Sequence, residues 1–325
     1  MKQILSTLIL VFAVLLYSGN VEALDVQLEA PGKGGAVKQG DVILVKAKSP
    51  APLTRLSGEF DGKRVYFESE DGRDFSALIG MDLNQKVQEY DLYIFGRGDG
   101  ELNQSVLSFN VHSRNYKVER LTLPDKMVTY DDVTLKRIKR ESHSLQEIRK
   151  NVSRKRWWNG DFLMPVKGKL TPNFGARRIL NGIKKNPHSG VDVKAYSGTR
   201  IRSSNGGKVV LVDNHYFGGK VVVIDHGQGL STIYMHLSRI LVNHGEEVAK
   251  GDILGLVGAT GRATGPHLHW AAYLNGAKVD PSALLALSID DKIVVEGSTI
   301  SSDPARGRQI EGNADSIMPE RLGGT

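Results

Sequence analysis

The chain has 325 residues, 40% of them hydrophobic, and carries 43 Lys or Arg against 36 Asp or Glu for a net charge of +7. That length suits about two domains, each burying its own core. Cysteine is absent, which excludes disulfides, thiolate metal ligands, a cysteine nucleophile and the lipid-modified type of export signal, so any metal must be held by His, Asp or Glu.

Lys2 precedes an apolar run from Ile4 to Tyr17, and Val21-Glu22-Ala23 ends in a small residue suited to a signal peptidase. Together these predict a secretory signal over residues 1–23 and a mature chain that begins near Leu24 and works in the periplasm or cell envelope. The run is short for a membrane span, so an uncleaved anchor is the lesser alternative.

Residues 24–115 hold short runs such as Asp41-Val42-Ile43-Leu44-Val45, Arg64-Val65-Tyr66-Phe67 and Tyr90-Asp91-Leu92-Tyr93-Ile94-Phe95, cut by Asp61-Gly62, Asp71-Gly72 and Asp99-Gly100. Apolar runs with recurrent turn signals predict an immunoglobulin-like β-sandwich. No catalytic cluster falls in it.

Residues 116–159 form a basic linker. Between about Asp131 and Val152 an amphipathic helix or two linking the domains is expected, because Leu135, Ile138, Leu145, Ile148 and Val152 share one side of a helical wheel that should pack on a neighbouring domain. From Lys136 to Arg156 there are nine Lys or Arg against two Glu, so this segment alone carries +7. It is either a solvated helix face or a contact for an anionic wall polymer or membrane surface. Nucleic acid is not expected as the partner of an exported chain.

Residues 160–287 change texture to hydrophobic strands divided by glycine, among them Lys220-Val221-Val222-Val223-Ile224-Asp225 and Ser231-Thr232-Ile233-Tyr234-Met235-His236. They predict a compact antiparallel β-domain, which makes the fold class mainly β. Residues 288–325 read as a tail rich in Ser, Gly, Asp, Pro and Arg, largely disordered beyond about residue 298.

Chemistry concentrates in this last domain. In Gly265-Pro266-His267-Leu268-His269-Trp270, alternate side chains of a strand leave one face, so His267 and His269 project two imidazoles into one site. A His-x-His alone is a weak signal. Here it is joined by His188-Ser189-Gly190-Val191-Asp192 and by Tyr234-Met235-His236-Leu237. Imidazole and carboxylate are nitrogen and oxygen ligands that zinc accepts, and a catalytic zinc takes three protein ligands plus a water. His215, His226 and His244 lie beside glycines and read as surface or loop residues. Tyr234, two residues before His236, shares its face on a regular strand; it reads first as a packed aromatic and second as a substrate contact.

With Pro165-Val166-Lys167-Gly168 and Asn173-Phe174-Gly175-Ala176-Arg177-Arg178 upstream, and Gly258-Ala259-Thr260-Gly261 before the His-x-His, residues 162–281 resemble the lysostaphin-type (LytM) zinc metallopeptidases that cut bacterial peptidoglycan. The resemblance implies one zinc per chain held by His188, Asp192 and His269, with His267 and His236 as unligated histidines beside it. It also implies a sheet groove that takes peptidoglycan peptide stems. Asn173, Tyr234 and Arg177 are candidate substrate contacts.

The chemistry so implied is hydrolysis, in which a group must handle the water's proton and donors must stabilise an oxyanion. No His-Glu-x-x-His supplies a glutamate base. His267 is the first candidate for base and His236 for oxyanion stabiliser, with the assignment between them open. Two alternatives stand beside an endopeptidase: a non-catalytic wall-binding or amidase-activating module using the same groove, and a first domain that occludes the groove until moved.

Overall fold

The computed structural model describes residues 24–31, 35–98, 102–122, 130–184 and 186–289. The expected signal at 1–23 and the tail from residue 290 onward lie outside the described residues. Strands account for 47% and helices for 9%, so the chain is mainly β, as its turn-punctuated apolar runs predict.

The elements run β1 (Asp25–Glu29), β2 (Val37–Lys38), β3 (Val42–Lys48), β4 (Arg55–Phe60), β5 (Lys63–Tyr66), β6 (Asp74–Gly80), β7 (Glu89–Arg97), β8 (Leu102–His112) and β9 (Val118–Leu121). Next comes α1 (Asp132–Lys150), followed by β10 (Lys169–Thr171), β11 (Arg177–Leu180), β12 (Ile183–Lys184), β13 (Gly190–Lys194), β14 (Arg200–Arg202), β15 (Gly207–His215), β16 (Gly219–Gly227) and β17 (Leu230–Ile240). The chain continues through β18 (Glu247–Val248), β19 (Ile253–Val257), β20 (His267–Leu274) and β21 (Ala277–Val279) to the short α2 (Pro281–Leu284).

Up to residue 112, a three-stranded sheet in the order β1-β3-β6 faces a five-stranded sheet in the order β2-β8-β7-β4-β5. Ile43, Val45, Phe75, Ile79, Leu92 and Ile94 fill the space between them, as alternation along the pleat requires. The second half is one large antiparallel sheet in the order β10-β13-β20-β17-β16-β15-β18, with β19, β14 and β21 attached at its sides.

Two strands depart from simple alternation, and both explain how the layers join. In β3, Val42 to Val45 are all fully buried. Ile43 and Val45 face the sandwich interior, while Val42 and Leu44 join Leu78 in a second core with Leu230, Leu274 and Val279 from the large sheet. In β16, Val222 and Ile224 face the core beneath the candidate site, whereas Val221 and Val223 meet Ile233 and Tyr273 under Leu145 and Ile148 of α1. A continuous apolar run is the mark of a strand covered on both faces, and each such side chain contributes roughly 1.5–3 kcal/mol through burial.

Helix α1 begins at the Asp131 cap, whose side chain accepts from the Thr134 N–H, and ends at Asn151. Part of its positive charge is spent internally: Arg137 bonds Glu141, Lys150 bonds Glu147, and Arg149 lies over the Tyr273 ring. Just beyond it, Lys155 and Arg156 lie over Trp157 and Trp158. A half-buried clasp ties the halves together, Arg114 bonding both Asp41 of the sandwich and Asp280 at the α2 cap.

Candidate active site

The site is built on neighbouring strands of the large sheet. Asp192 on β13 stands directly across from His269 on β20, and His267, two residues earlier on β20, leaves the same face. His188 comes from just before β13, where its backbone pairs with the 173–176 turn through His188 N to Ala176 O at 3.0 Å and Gly175 N to His188 O at 2.7 Å. Two glycines make these approaches feasible. A Cβ at Gly190 would lie 2.4 Å from the Trp270 carbonyl and 2.8 Å from the His269 ring, and Gly175, at φ +71°, has the Tyr116 ring where a side chain would go.

The Asp192 carboxylate is the hub. Its Oδ1 lies 3.3 Å from His188 Nε2, 3.0 Å from His269 Nδ1 and 3.8 Å from His267 Nε2. Its Oδ2 accepts from Asn173 Nδ2 at 2.8 Å, and the Asn173 carbonyl group Oδ1 in turn accepts from the Asp192 N–H at 3.2 Å. Burial by itself would raise this carboxyl, but hydrogen bonds and charge from His188 and His269 outweigh that and hold it well below the usual carboxylate range.

His236 enters from β17 by an irregular route. Val222 pairs with Tyr234 but Lys220 pairs with Leu237, so β17 carries one residue more than β16 across this step. The bulge puts His236 at φ 66° and its N–H on the Gly218 carbonyl at 2.7 Å. Its ring thereby comes within 4.6 Å of His267, centroid to centroid.

Carbonyl partners assign the tautomers. His188 Nδ1 faces Asn173 O at 3.2 Å, His236 Nδ1 faces Thr260 O at 2.8 Å, and His267 Nδ1 faces Gly265 O at 2.8 Å. A carbonyl only accepts, so each ring carries a proton on Nδ1, and in its neutral form the ring leaves its lone pair at Nε2. Burial lowers His236 to about 4 and also pushes His269 down, so both are neutral at pH 7.

His188, Asp192 and His269 offer two nitrogens and one oxygen that all lie within 4.8 Å of one another. The 3.3 Å and 3.0 Å spacings to Asp192 Oδ1 are close to the ~3.3 Å edge of a tetrahedron with zinc bonds of about 2.0–2.1 Å. Two imidazoles, a carboxylate held ionised and hydrogen-bonded outer partners are what such an ion requires, so the residues present fit it.

The structure thus gathers His188, Asp192, His269, His267, His236 and Asn173 into one cluster. It leaves out two candidates. Tyr234 is fully buried, its hydroxyl bonded to Ser204 and Thr232, because the bulge breaks the alternation that would have put it beside His236. Arg177 is exposed at the start of β11, its N–H on the Lys117 carbonyl. The surface reading holds for His244 but not for His215 or His226, which are buried; His226 bonds Gly206 O at 2.6 Å and Thr232 Oγ1 at 2.7 Å. Sequence reasoning missed the carbonyls of Thr260, Gly265 and Gly218, since a backbone acceptor leaves no residue-type signal.

A mainly antiparallel molecule that presents a His–Asp–His donor set on one sheet face defines a β-sheet metal-site protein. Residues 186–281, which include all four histidines of the cluster and Asp192, match peptidase family M23. The chain is 42% identical over 131 residues to peptidoglycan DD-endopeptidase ShyA of Vibrio cholerae, a match covering 38% of this chain and 30% of that protein. It is 42% identical over 94 residues to the DD-carboxypeptidase/endopeptidase Mpg of Neisseria meningitidis, covering 29% of this chain and 22% of that one. The matched stretches therefore span less than a third of these curated relatives. A crystal structure of a candidate M23 peptidase from Pseudomonas aeruginosa superposes with a TM-score of 0.60 at 34% identity, over 76% of this chain and 94% of that one. The chain belongs to peptidase family M23.

Proposed function

We propose that this protein is a zinc-dependent endopeptidase of the cell envelope that hydrolyses peptide cross-links of peptidoglycan. The observation that carries the reading is the His188–Asp192–His269 donor set with two further histidines at its edge. The names of its relatives supply the substrate class.

His188 Nε2, Asp192 Oδ1 and His269 Nδ1 would hold the ion. Bound there, zinc supplies Lewis-acid activation of water and of the scissile carbonyl. The chain's own residues do the rest. Asn173 fixes the carboxylate in rotation, and the Asn173 carbonyl holds His188 on the tautomer that frees Nε2. His267 and His236, both with Nε2 as an open acceptor, are placed to take the water's proton; the ring that takes it becomes a donor at that same atom and can stabilise an oxyanion or protonate the leaving amine.

The test is digestion of purified sacculi by the zinc-loaded protein, read as soluble muropeptides by mass spectrometry. His267→Ala should cut release about 10²-fold or more while keeping stoichiometric zinc, whereas His188→Ala or Asp192→Ala should lose the metal. Equal inertness of wild type and His267→Ala would overturn the enzyme reading. Full activity of a zinc-free Asp192→Ala protein would overturn the metal assignment.

A further inference from the structure

A cavity of about 450 Å³ lies in the sandwich, built from β4, β5, the segment that follows β5, and one linker residue. It forms where the β4–β5 ladder opens. The last rung pairs Ser57 with Tyr66, and the two arms meet again only where Leu53 N donates to Gly72 O at 2.7 Å. Between these points the segment after Tyr66 leaves β4 and crosses to the other sheet, bridging at Glu68 and Ser76. An elongated gap results, its inner wall the buried Leu56, Phe67 and Phe75.

Three guanidinium-bearing residues from separate places line the exposed side: Arg55 of β4, Arg64 of β5 and Arg154, which the chain brings in from the linker. Glu68 is the single carboxylate in the lining, and its Oε1 accepts from Gln228 Nε2 at 2.6 Å rather than from an arginine. Among the described residues none of the three arginines has a carboxylate partner. The lining thus carries an excess of two positive charges beside an apolar wall. A volume of this size falls in the range of small-ligand sites, roughly 300–1,000 Å³. Guanidinium groups are shaped for carboxylates and phosphates alike, and of these a carboxylate carried on an aliphatic chain would also cover the apolar wall, which a simple inorganic oxyanion would not.

We propose that this cleft is a second binding site, distinct from the histidine cluster, for an extended peptide with small aliphatic side chains and two carboxylates. The charges would meet Arg55, Arg64 and Arg154, and the aliphatic groups would lie on Leu56, Phe67 and Phe75. The ligand class follows from the cleft's own residues and stands whether or not the cluster hydrolyses peptides.

The test is titration of the full chain with acetyl-Ala-Glu-Ala, followed by calorimetry and by amide chemical shifts. Shifts should fall on β4, β5 and residues 66–72, and the neutral analogue acetyl-Ala-Gln-Ala-amide should bind about tenfold more weakly or worse. Arg154→Ser and the Arg55→Ser/Arg64→Ser pair should each weaken the acidic peptide about tenfold, with thermal unfolding unchanged since all three side chains are exposed. Unweakened binding by these variants, equal binding of the neutral analogue, displacement by inorganic phosphate at similar concentration, or shifts confined to the histidine cluster would each overturn the proposal. Loss of sacculus digestion with retained peptide binding would leave this site standing and remove only the hydrolytic reading.

Discussion

Asn173 shows how much one neutral residue does in a charged site. Its side chain donates to one oxygen of Asp192 and accepts from that residue's N–H, while its backbone carbonyl accepts from His188. Two of the three donors are thus oriented by one residue. Replacing it with alanine should free the carboxylate to rotate and weaken zinc about 10–100-fold, the usual cost of losing an outer partner. Competition with a chromophoric chelator measures this, and saturating zinc should restore much of the activity. Unaltered zinc affinity would mean that the strands alone hold Asp192.

Residue type and period carry one part of the cluster, since His267 and His269 share a face by simple alternation and the structure keeps them there, whereas the choice of His188, Asp192 and His269 as donors comes from the family resemblance. His236 and Tyr234 were not separable that way. A bulge is a backbone event, and neither residue's identity announces that one turns out toward the cluster while the other sinks into the core.

At the scale of elements, α1 was foreseen to within about two residues, yet its most constrained residue was not. A glutamate on a basic helix reads as solvated, but Glu141 is buried, accepts from Arg137 Nε at 2.7 Å and from the Tyr216 N–H at 2.8 Å, while Arg137 also donates to Asn214 O at 2.6 Å. Tyr216 opens the turn that ends in Gly218, whose carbonyl takes the His236 N–H. Leu135, by contrast, was expected on the packed side and stays partly exposed. Glu141→Ala should destabilise the protein by about 2 kcal/mol, as expected for losing charge-assisted bonds to a buried group. It should also speed amide exchange at Tyr216 and His236, and exchange as slow as in the wild type would show that the helix does not restrain the turn.

At the scale of the whole molecule, one buried histidine weakens the fold in acid. His226 lies deep between the linker's end and the sheet, with Trp157 N on its carbonyl and the Phe162 ring edge-on to it. Desolvation lowers it from 6.5 to about 4. The unfolded chain therefore binds a proton that the fold refuses: this contribution is fully present above pH 6.5, is lost as pH falls toward 4, and levels off below. A shift of that size corresponds to about 3 kcal/mol, at up to about 1.4 kcal/mol per pH unit. Urea unfolding at pH 7 and pH 4.5 checks it, with His226→Gln losing markedly less stability between the two than wild type. Parallel losses in both proteins would remove His226 as the cause. Its depth was hidden in the sequence because the glycine that follows it, Gly227, lies under the linker backbone at Lys155, so the hairpin turn there is covered rather than exposed.

Among the described residues no helix is long and apolar enough to cross a membrane. The chain does contain oily surface of another kind, in the core where Val42, Leu44 and Leu78 lie against Leu230, Leu274 and Val279. Excising the histidine-bearing half would bare that plane to water, and large uncovered apolar patches drive clumping. A truncated fragment would therefore expose a sticky plane whatever its catalytic rate, and the sandwich acts as a keel through that shared core.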